Sequence, residues 1–209
     1  MRRVDRSRRE YVSSCPLRYA LGACGPRCGP GLRRSRTLGR KCRRLVSTAT
    51  DELVTNAIAH EIDFEGPRAV IPSRHVTIVT CMDSRIDIFR IFGLDSGEAH
   101  ILRNAGGLVT DDVLRSLVLS QRVLETREIV LMHHTNCGLH KTDESALRAT
   151  IAADTGHEPP YAFGAFTDLD EAVRNAIRRV REHPYLPHRD RIRGFVYDVE
   201  SGHLREIHV

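Results

Sequence analysis

From residue 75 onward the chain alternates between short runs of apolar residues and longer stretches with helical periodicity. His75–Cys81 (HVTIVTC) and Glu128–His134 (EIVLMHH) are dense in β-branched and aliphatic residues and predict two buried strands. Between them, Thr110–Glu125 (TDDVLRSLVLSQRVLE) sets Val113, Leu114, Leu117, Val118, Gln121 and Leu124 at helical spacing. Thr110 is the expected cap of that helix, and Asp111 and Asp112 in its first turn favour the dipole.

Weaker patterns fill the rest. Residues 51–61 (DELVTNAIAHE) predict a short helix capped by Thr50 or Asp51, and Ile86–Phe92 a helical segment closed by Gly93. His100–Leu102 reads as a brief strand before the tight turn Arg103-Asn-Ala-Gly-Gly107. Helices follow near 142–154 and 168–182, then late strands at Arg193–Val199 and Leu204–His208 around the turn at Ser201-Gly202. Strands alternating with helices predict an α/β fold: a mainly parallel β-sheet flanked by helices, with an antiparallel edge strand supplied by the last hairpin.

Composition changes this picture at one end only. Residues 1–46 hold 13 Arg and one Lys against Asp5 and Glu10, a net of +12, so the remaining chain carries about −7 of the +5 total. The segment has no apolar periodicity and recurrent Gly, Pro and Arg. It is expected to be a disordered extension, with the domain proper at 47–209. Val46 would suit a natural start if encoded by a GTG initiator, which would make the extension an artefact of the assigned start. An export signal is disfavoured because Pro16 and Arg18 interrupt what would be its apolar core. No apolar run approaches the ~20 residues needed to cross a bilayer. Four cysteines lie in the extension and only Cys81 and Cys137 beyond it, which is no disulfide framework and points to a reduced, cytoplasmic setting.

The chemistry gathers at the ends of the two strong strands. Cys81-Met-Asp83-Ser-Arg85 leaves the first, and His134-Thr-Asn-Cys137-Gly138 leaves the second. In open parallel sheets such ends converge on one edge, where sites form. Two thiolates and an imidazole are a recognised tetrahedral zinc set with one position left over. Adjacent strand residues face opposite ways, so His133 and His134 should not both serve. His134 has the better spacing to Cys137, with His133 as its competitor. Read singly, Cys81 could be a small buried hydrophobe, Asp83 and Arg85 an ordinary ion pair, and Arg103 a surface residue.

CMDSR, RNAGG and HHTNCG, in this order, resemble the signature segments of the β-class carbonic anhydrases, over roughly Thr50 to Val209. The likeness is greatest to the compact branch found in mycobacteria and other actinobacteria. Gly107 stands where the family commonly has Asn. The resemblance implies one Zn2+ per subunit held by Cys81, His134 and Cys137, and reversible hydration of carbon dioxide to bicarbonate. It implies catalytic roles for Asp83, which orients the nucleophile, and for Arg85, which holds Asp83. In a closed form Asp83 would itself reach the metal. A homodimer or homotetramer is implied, with no membrane or nucleic-acid partner. Two rival functions fit the same residues: a hydrolase of the same fold acting on carbonyl sulfide or carbon disulfide, and a non-catalytic zinc protein whose basic extension contacts nucleic acid.

Overall fold

The computed structural model describes residues 48–209; the expectations for residues 1–46 lie outside them. Helix α1 (Ala49–His60) falls, up to Ala59, in one compact unit, and His60–Val209 forms the other. The cap of α1 is Thr48 rather than Thr50 or Asp51. The Asp51 N–H donates to Thr48 Oγ1 (3.2 Å) and the Thr48 N–H donates to the Asp51 carboxylate (2.8 Å), a reciprocal capping box.

The larger unit is built on a five-stranded sheet of β1 (Val76–Cys81), β2 (Ala99–Asn104), β3 (Glu128–His134), β4 (Ile192–Tyr197) and β5 (Leu204–Ile207). The strand order is β2-β1-β3-β4-β5, parallel except for β5, which runs antiparallel beside β4. The helices are α2 (Ile88–Phe92), α3 (Asp111–Arg122), α4 (Glu144–Thr155) and α5 (Leu169–Glu182). The expected α/β architecture and antiparallel edge are therefore present. β2 is twice as long as its apolar core His100–Leu102 predicted, because the ladder with β1 extends through Arg103 and Asn104.

Alternating strand residues feed two separate cores. Val79, Ile129, Leu131 and Val196 pack with Val113, Leu117, Val173 and Ile177 from α3 and α5. Gly194 lets α5 lie close on β4, where a Cβ would stand 2.5 Å from Val173 Cγ1. On the other side Ile78, Met132 and Phe195 pack with Ile86 and Ile88, and with Cys81 and Cys137. The metal-ligand candidates are thus embedded in one apolar layer of the sheet.

The connection from α4 to α5 is clamped by α4 itself. Glu144 accepts hydrogen bonds from the backbone N–H groups of Phe163 (2.9 Å), Gly164 (3.0 Å) and Ala165 (3.1 Å). These donors, Ala165 first, hold the Glu144 carboxyl below its ordinary pKa. The clamp therefore acts fully above about pH 4.3, the unfolded value, and is lost as pH falls through the lower folded value. Replacing Glu144 with Ala is expected to accelerate amide exchange at residues 163–165 at neutral pH. Unchanged protection in Glu144→Ala would show that the clamp is idle.

Candidate metal centre

β1 and β3 are parallel neighbours whose register sets Thr80 beside Met132. Cys81 and His134 consequently emerge at one edge, as expected from the strand pattern. His134 ends β3, and the loop turns back through Asn136, at φ +53°, to bring Cys137 alongside. Two contacts shape that loop: the Thr135 N–H donates to the Tyr197 carbonyl (2.9 Å) and the Asn136 side chain donates to Glu200 (2.8 Å).

The ligand atoms of Cys81, His134 and Cys137 all lie within 4.8 Å of one another, and the three residues are buried. His133 faces the other side of the sheet and is outside this group, so of the two histidines only His134 joins it. The His134 tautomer follows from its partner. A carbonyl only accepts, so Nδ1 carries the hydrogen and donates to the Thr135 carbonyl (2.8 Å). Nε2 then presents a lone pair, buried and without a protein partner. A buried acceptor left unpaired beside two thiols fits one zinc ion. Burial pushes the Cys137 thiol up and the His134 imidazolium down, so both are neutral near pH 7 without a metal.

Asp83 lies beside this group with its carboxylate turned into a fork. Arg85 Nε donates to Oδ1 (2.9 Å), its NH2 to Oδ2 (2.7 Å), and the Arg85 backbone N–H to Oδ1 (2.9 Å). These bonds hold the Asp83 carboxyl far below the usual range, against the opposing effect of its burial. The guanidinium also donates to the Asn136 carbonyl (2.9 Å), tying the two ligand loops together. Asp83 Oδ2 stands 3.8 Å from His134 Nε2. Since that imidazole is neutral, this is proximity rather than an ion pair.

Arg103 is the residue whose part the sequence left open. It is exposed, but its guanidinium turns back onto the chain. Its Nε donates to the Cys81 carbonyl (2.9 Å) and its NH2 to the Asp83 carbonyl (2.6 Å), so it braces the whole segment from outside. The glycine turn after it presses on the same place. Gly107, at φ +67°, would put a Cβ 3.0 Å from the Cys81 nitrogen and the Thr80 carbonyl carbon. Asn, common at this position in the family the signatures resemble, is the side chain best suited to that backbone region but would need this contact to open slightly.

Comparison with known proteins agrees with this geometry. The family model for carbonic anhydrase matches residues 76–204. Beta-carbonic anhydrase 1 of Mycobacterium tuberculosis is 43% identical over 160 residues, covering 77% of this chain and 98% of that protein. The chain belongs to the β-carbonic anhydrase family. The crystal structure of carbonic anhydrase from Streptococcus mutans superposes with a TM-score of 0.73 at 38% identity, covering 78% of this chain and 100% of that one. A carbon disulfide hydrolase of Acidithiobacillus thiooxidans is more distant, at 31% identity over 71% of this chain and 88% of that protein.

Within this carbonic anhydrase fold, Arg103 is a positioning residue rather than a ligand. Arg103→Leu is expected to speed zinc loss to a chelator about tenfold while leaving the stoichiometry at one. Zinc retention equal to the native chain would remove Arg103 from the site.

Proposed function

We propose that this chain catalyses the zinc-dependent, reversible hydration of carbon dioxide to bicarbonate and a proton. The observation that carries the reading is the Cys81, His134 and Cys137 group, with His134 Nε2 unpartnered and a locked carboxylate beside it. Cys81, His134 and Cys137 would hold the metal. Bound zinc supplies a nucleophile at neutral pH by acidifying water, to a pKa of about 7. Asp83, ionised throughout the working range, accepts a hydrogen bond from the attacking group and so fixes the direction of its lone pair. Arg85 keeps that carboxylate turned from the metal position; if the pair opened, Asp83 could itself help to hold the metal. A purely structural metal site has no use for such a pinned carboxylate, which weighs against a non-catalytic role.

The reading places catalysis in residues 47–209 and assigns no catalytic part to residues 1–46. It also carries assembly as a homodimer or homotetramer and a cytoplasmic location, which sedimentation and fractionation test. Among the described residues no helix is long and apolar enough to cross a membrane.

Stopped-flow hydration of carbon dioxide by the zinc-loaded chain, at neutral and at mildly alkaline pH, is the test. Carbon disulfide hydrolysis is measured on the same sample, because the more distant relatives carry that activity in their names. Fast hydration supports the proposal, and activity confined to alkaline pH identifies an Asp83-closed resting form. Carbon disulfide turnover without hydration would replace it.

A further inference from the structure

The face of β3 opposite the metal ligands opens into a second cavity, of about 350 Å3. That volume lies within the range of small-ligand pockets. His133, Val109, Ala176 and Phe166 form its inner part, and Thr110, Asn175 and Arg179 stand at its exposed rim. His133 is 1% exposed; the Gly107 backbone bears on its ring, but neither nitrogen reaches a partner in good hydrogen-bond geometry. Buried imidazoles normally find one. The metal site makes no use of this ring.

The cavity is held open by the fold. Its roof is the segment that Glu144 clamps, and Arg148 fixes the same segment from the other end by donating to the carbonyls of Pro159 (2.7 Å) and Tyr161 (2.6 Å). Gly164, in that roof, comes so near Leu108 that a Cβ would stand 2.5 Å from its Cδ1. A preformed cavity costs a ligand little ordering entropy.

Polarity changes from floor to rim. A buried imidazole lies at depth, apolar walls follow, and a guanidinium and an amide from one face of α5 stand at the mouth. Arg179 touches Asp111 (2.6 Å), but the Asp111 side chain is 96% exposed, and so loose a pair leaves the guanidinium open to a further acceptor.

We propose that this cavity is a ligand site for a small hydroxy-substituted aromatic carboxylate, with its hydroxyl at His133, its ring between Val109, Phe166 and Ala176, and its carboxylate at Arg179. The inference stands whether or not the metal centre is catalytic.

Calorimetric titration of the zinc-loaded full chain with 4-hydroxybenzoate tests it, with benzoate and 4-hydroxybenzyl alcohol as probes lacking one polar end each. One-to-one binding is expected, weakened about tenfold when either polar end is removed. Arg179→Met, at the exposed rim, should weaken 4-hydroxybenzoate by a similar factor. Ala172→Leu, which narrows the half-buried wall, should abolish binding, and neither variant should alter zinc content. No binding by the native chain would overturn the proposal. So would binding that is equal in both variants, which would place the probe at the metal instead.

Discussion

Cys137→Ser is expected to abolish zinc binding and to lower carbon dioxide hydration at least about a thousandfold. Of the three candidate ligands, Cys137 has the least redundancy. It sits three residues beyond His134 on a loop bent through Asn136, and no other thiol or imidazole joins the group among the described residues. A serine hydroxyl at that point is a far weaker ligand than a thiolate, and it cannot offset the charge of the ion. The fold should survive, because the sheet and both apolar layers are formed by residues elsewhere and Cys137 contributes a small side chain to one of them. Zinc content, stopped-flow rate and thermal midpoint measured together separate the outcomes. Loss of metal and rate with a near-native midpoint is the expected result. A variant that keeps one zinc and its activity would show that the metal is held elsewhere, and the proposed centre would fail.

What the sequence made legible follows from how local each signal is. β1, β3 and α3 are dictated by unbroken apolar runs or strong helical spacing, and each was predicted to within a few residues. β2 was underestimated because His100 and Arg103 give it no clean apolar pattern; its length comes from pairing with β1. Strand alternation already separated His134 from His133, but only the hydrogen bond from Nδ1 to Thr135 shows which nitrogen is free. Arg103 could not have been assigned from its neighbours in the chain. Its contacts with Cys81 and Asp83 exist because the sheet order puts β2 beside β1. The second cavity is further from view, since its walls come from four separate segments and only His133 among them falls in a signature segment.

Arg85→Leu is expected to retain zinc and to lose about a hundredfold in hydration rate. The argument rests on a competition for one carboxylate. In the native chain Asp83 accepts three hydrogen bonds from Arg85, two of them from the guanidinium fork. The same carboxylate lies 3.8 Å from His134 Nε2, close to where the metal would be held. Removing the fork leaves one backbone bond to restrain a negative group beside a divalent cation, and the balance shifts to the metal. Asp83 would then be free to help hold the metal, which would be kept at least as well while the rate falls. Arg85→Lys keeps the charge but not the two-pronged geometry, and should recover only part of the loss. Asp83→Asn completes the test: it cannot close the site as a carboxylate does, yet it loses the hydrogen-bond acceptor that directs the nucleophile. Both variants should therefore be slow for different reasons, Arg85→Leu with slower zinc release to a chelator than Asp83→Asn. Native activity in Arg85→Leu, or faster zinc release from it than from the native chain, would mean that the pair serves the fold and not the reaction.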